Sequence, residues 1–127
     1  MKRILLTLVM VGMMANIVYA FEPIGEDVKS LVINSIKGYD RILDASIYQK
    51  GKQVMVILIV DYGTSEQYAR RMGGNLVRML KSFSSDTSPN NRIGPGIYEY
   101  HVKVTMPSQT MLVEGVKLNI AHNLKWL

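Results

Sequence analysis

The sequence predicts an α+β fold: a two-layer sandwich of order αββαββ, a four-stranded antiparallel sheet with two helices on one face. Three observations predict it. EDVKSLVINSIKGYD and the stretch from Gly63 to about Phe83 carry apolar residues at helical spacing. Each is followed by two β-rich segments joined by a short turn. And QVMVILIVDY, Gln53 to Tyr62, runs apolar from Val54 to Val60 and stops at Asp61. That run is far too short to cross a bilayer as a helix, which takes about 20 residues. Nor does it alternate as a strand with one wet face would, so it reads as a strand covered on both sides.

The first helix places Ile24, Val28, Leu31, Val32, Ser35 and Ile36 on its apolar side. Glu26 and Asp27 suit the positive end of its dipole, Lys37 the negative end, and Gly38 is its stop signal. RILDASIYQ, a turn at Lys50-Gly51, and KQVMVILIVDY read as the first hairpin. In its first strand Leu43, Ala45 and Ile47 share the inner parity, and Ile42, Asp44, Ser46 and Tyr48 the outer. The second helix opens with Thr64 and Gln67 at capping-box spacing. Ala69, Met72, Gly73, Leu76, Leu80 and Phe83 form its apolar face. Gly73 would let the backbone sit close to the sheet, whereas Gly74 points away; each costs roughly 1 kcal/mol against Ala.

Ser84 to Gly96 is a loop long enough to suggest function or mobility. In the strand after it, Tyr98, Tyr100, Val102, Val104 and Met106 face one way, and Glu99, His101, Lys103 and Thr105 the other. Pro107-Ser108-Gln109 turns the chain into a long last strand, TMLVEGVKLNIAHNLKWL. Its expected inner set is Leu112, Val116, Leu118 and Ile120, with a bulge at Gly115 and Trp126 closing one end of the core.

The chain begins MKRILLTLVMVGMMANIVYA. A basic start, an apolar run and Val18-Tyr19-Ala20 predict a secretory leader, residues 1–20, cleaved after Ala20. The expected product is a single domain of residues 21–127, periplasmic or secreted. Without Lys2 and Arg3, fifteen basic residues fall to thirteen against ten acidic ones, a net charge of +3. That mild excess is weak support for a polyanionic partner. The chain has no Cys, which excludes disulfides, thiol chemistry and a Cys-linked lipid anchor.

Catalytic signals are poor, and neither a cofactor nor a metal is expected. No Ser lies in a nucleophile elbow, and Gly94-Pro95-Gly96 precedes no helix that would cradle phosphate. His101 and His122 would lie roughly 20 Å apart on the last two strands. Glu99 and His101 share a face, and an enzyme using them would need the Ser84 to Gly96 loop as a lid. Asp61 and Tyr62, between strand and helix, read as a strand end leading to a cap.

The stretch Val28 to Leu80, with its helix, strand, Gly turn, strand and polar-capped helix with an early Ala, resembles the BON domain, a small bacterial envelope module. It departs from it where the Ile59 region replaces a Gly and where a long loop and full hairpin replace a short Gly-Val return. The chain is therefore not assigned to that family.

Two surfaces remain as candidates. Arg70, Arg71, Arg78 and Lys81 project from one side of the second helix, where they could contact anionic lipid or another acidic surface. Nucleic acid is not expected, because no aromatic platform accompanies them. The second surface is the helix-free face of the sheet. There Met55, Ile57 and Ile59 would form an apolar centre beside Tyr48, His101 and Lys103. The expectation is an exported, non-enzymatic binding domain using this face to pair with itself or an envelope protein. A small-molecule or lipid binder using the same face and the basic stripe is the second reading.

Overall fold

The computed structural model describes residues 23–84 and 97–127. The expected leader and all but the first residue of the Ser84 to Gly96 loop lie outside the described residues. Two helices, α1 (Glu26–Lys37) and α2 (Glu66–Phe83), pack on a five-stranded mixed sheet. Its strands, in spatial and chain order alike, are β1 (Ile42–Lys50), β2 (Gln53–Val60), β3 (Glu99–Thr105), β4 (Met111–Lys117) and β5 (Lys125–Trp126).

The expected α+β class holds; the four-stranded antiparallel sheet does not. β2 and β3 run parallel, while the other neighbours are antiparallel. The reason is geometric. An 18-residue helix rises about 27 Å. An eight-residue strand covers about 26 Å. α2 is therefore long enough to carry the chain back along β2, and a strand starting there runs the same way as β2.

The last segment is also not one long strand. β4 ends at Lys117, the chain turns through residues 118–124, and β5 pairs back with Gly115 opposite Trp126. His122 consequently lies in that turn, and a separation from His101 counted along a strand does not apply. The inner set of β4 is Val113, Gly115 and Lys117, all buried, whereas Leu118 and Ile120 are exposed. Gly115 is no bulge. A Cβ there would meet the Trp126 ring at 2.7 Å. The irregularity in β4 falls instead where Val104 and Thr105 pair with Val113 and Met111.

β1 carries a bulge as well. Ile42 pairs with Val60 and Asp44 with Ile59, leaving Leu43 as the extra residue. The bulge reverses the expected parity at the start of the strand: Ile42 is buried and Leu43 is exposed. Ala45 and Ile47 face inward as expected.

The core lies between the helices and one sheet face. Val32 and Ile36 of α1 and Ala69, Met72, Leu76 and Leu80 of α2 meet Val54, Val56, Leu58 and Val60 of β2. Tyr98, Tyr100, Val102 and Val104 complete it, the two tyrosine rings edge to face at 6.4 Å. α2 is capped by Ser65, whose hydroxyl accepts from the Tyr68 N–H at 3.1 Å. Thr64 does not serve as the expected cap: its hydroxyl donates to the Asp61 carbonyl at 2.7 Å and ties down the strand end.

Candidate functional site

The strand registers bring all six predicted face residues onto one surface. Tyr48, Met55, His101, Val116 and Lys125 form one cross-strand row. The next row is Ser46, Ile57, Lys103 and Glu114, and a third begins Asp44, Ile59, Thr105. These positions alternate with the buried set, so their side chains stand on the face away from the helices. Met55, Ile57, Ile59, His101 and Lys103 are partly exposed, and Tyr48 is 58% exposed. Among the described residues, neither helix covers this face.

The face is not flat at its first row. A depression of about 350 Å³ lies among Tyr48, Lys50, Gln53, Met55 and His101. A second, of about 360 Å³, lies among Val116, Leu118, Ala121, Lys125 and Leu127. His101 and Val116 are register partners, so the two hollows adjoin along one row. Leu118 and Leu127 are 50% and 72% exposed. Sequence reasoning missed Val116 and Leu118 on this face because it assigned them inward. No local signal marked the true parity: Gly115 faces inward because the Trp126 ring packs on it, and that ring arrives from a strand the chain order alone does not place.

Glu99 forms an ion pair with Lys52 at 3.6 Å, and its N–H donates to the Lys52 carbonyl. Its carboxylate is thus held at the start of β3. Among the described residues, no three His, Asp or Glu side chains cluster as metal ligands would. Asp61 accepts from the N–H of Tyr62 with its carboxylate and from Thr64 with its carbonyl, a turn that leads into the cap of α2.

The basic stripe of α2 is only partly as expected. Arg70, Arg71 and Arg78 reach the surface. Lys81 does not: it is 2% exposed. It follows Val77 by four residues, and Val77 is fully buried, so both lie on a flank that the fold covers. Arg70 pairs with Glu66 at 3.1 Å, Arg78 donates to the Asn75 amide oxygen at 3.0 Å, and the Arg71 guanidinium lies 5.3 Å from the Tyr68 ring centre. The three arginines line a groove against Asn123, Leu124 and Trp126, beside β5. Asn123 also borders the hollow that holds Leu118 and Leu127. The final segment therefore separates the arginine groove from the open sheet face, and the two candidate surfaces are distinct.

The chain matches no family model, no curated protein and no solved structure.

Proposed function

We propose that this chain is an exported, non-enzymatic binding domain that pairs with a second copy of itself through the helix-free face of its sheet. The observation that carries the reading is the continuous row Tyr48, Met55, His101, Val116, with Ile57 and Ile59 beside it on β2. An apolar centre with a polar rim is how a protein contact is built. Charge argues for a like partner. Lys103 and Glu114 are neighbours on this face, so a two-fold axis can set each against its opposite in the second copy. Export rests on the leader-like first 20 residues.

The solution mass of the chain without its leader tests the reading. The expected result is a concentration-dependent dimer. Ile57→Lys should convert it to a monomer with unchanged circular dichroism, because an unpaired ammonium buried in an interface costs several kcal/mol. A wild-type monomer at high concentration would sink it, and capture of a different envelope protein by the same face would replace the like partner.

A second reading is favoured by the hollow at Tyr48, Met55 and His101, which is within the size range of small-ligand pockets. Under it, a small apolar molecule or lipid copurifies and raises the melting temperature. A clean protein with no shift across lipid and metabolite panels argues against that version.

A further inference from the structure

The two adjacent glycines of α2 have different reasons to exist. A Cβ on Gly73 would stand 2.8 Å from the Trp126 ring and 3.0 Å from Val102, so packing requires a glycine there. A Cβ on Gly74 would meet only the end of Arg78, at 3.5 Å, which is ordinary contact. Its φ is not in the left-handed region either. Packing therefore does not require a glycine at 74, although glycine is a poor residue for a helix interior. Such an unrewarded local choice is expected where a site needs room.

Gly74 is the middle of a row. Arg70, Gly74 and Arg78 are spaced four apart and lie along one line of the helix. Arg71 stands beside them, and the opposite wall is Asn123, Leu124 and Trp126. Gly74 is buried and, having no side chain, forms a low floor between guanidinium groups in a groove of about 310 Å³, with Leu124 and Trp126 as the apolar part of the far wall. Among the described residues, Arg70 has a carboxylate as partner, Arg78 an amide oxygen and Arg71 a ring face. A guanidinium carries five N–H donors, so most of that capacity remains. Among the described residues, the lining of the groove holds three arginines and no acidic side chain, and Glu66 pairs with Arg70 from beside it.

We propose that this groove binds a phosphate ester, its anionic oxygens held by Arg70, Arg71 and Arg78 over Gly74 and its organic part against Leu124 and Trp126. Planar guanidiniums match phosphate oxygens in bidentate fashion, which favours this anion over a simple halide. The site is independent of the sheet-face contact, because the final strand separates the two. Phosphate esters occur as free small molecules and as lipid headgroups, and the groove presents the same chemistry to both.

Trp126 is the single tryptophan of the chain and borders the groove, so its fluorescence reports on occupancy. The chain without its leader is titrated with glycerol phosphate, inorganic phosphate and, as an ionic-strength control, sodium chloride. A parallel arm uses phosphatidylcholine vesicles with and without phosphatidylglycerol. The expected result is a saturable change with glycerol phosphate or with the anionic vesicles, absent with chloride; which arm responds identifies the source. Arg78→Gln should weaken binding about tenfold, as the loss of a charge-assisted contact does. Gly74→Ala should also weaken binding while raising the melting temperature, because it improves the helix and raises the floor of the groove. No response to any phosphate probe would overturn the proposal. So would Gly74→Ala that lowers the melting temperature and leaves phosphate affinity unchanged, since that is the behaviour of a packing glycine.

Discussion

Trp126 is held between two glycines that are 42 positions apart in the chain. Its ring lies within 2.8 Å of where a Cβ on Gly73 would stand and within 2.7 Å of one on Gly115. The indole therefore clamps α2 to β4 and brings β5 with it. Gly115→Ala should destabilise the fold by about 1–3 kcal/mol, the usual cost of overpacking. Urea unfolding would measure it. In a Trp126→Ala background the added methyl has room, so the cost should fall well below the single-mutant value. Full additivity would show that the ring is not what Gly115 accommodates. The role of Gly73 was legible because it sits within an apolar helical stripe. That of Gly115 was not, because its partner comes from a strand that only the turn at 118–124 brings back.

At the scale of elements, β1 and α2 show where periodicity works and where it misleads. Strict alternation placed Leu43 and Ile47 on the same buried side. The bulge separates them, leaving Leu43 48% exposed and Ile47 7% exposed. Leu43→Ala should change stability by less than about 0.5 kcal/mol. Ile47→Ala should cost about 2–5 kcal/mol. Equal losses in thermal or urea unfolding would contradict the bulged register. On α2 the capping signal was present but displaced by one residue, since Thr64 and Ser65 are both suitable caps. Ser65→Ala should lose about 1 kcal/mol, read from urea unfolding. The buried position of Lys81 was hidden for a related reason. A lysine in a helical pattern reads as solvated, and nothing local marks the flank that the fold covers.

For the whole molecule, the proposed pairing through the open sheet face makes a prediction about behaviour in solution. Ile59→Lys, like Ile57→Lys, adds a charge to the proposed contact without entering the core. Light scattering across a dilution series should show it to be monomeric where wild type is dimeric, with melting temperatures of the two monomeric forms within a few degrees of each other. A variant that dimerises like wild type would move the contact elsewhere on the surface.

The sequence by itself determined the class of fold, the helices, the first hairpin, the inward row of β3 and the six residues that share the open face. All of these follow from local periodicity, which depends on side chains a few positions apart. Only the tertiary structure decided that β2 and β3 run parallel, that the last segment folds back as β5, and that Leu118 faces out. Each depends on where distant segments meet: a helix long enough to return along its strand, and an indole that fits only between two glycines. The run Val54 to Val60 joins both kinds of information. Its apolar character on both parities is visible in the chain, but it became the second of five strands, with a covered side and an open one, only through its neighbours.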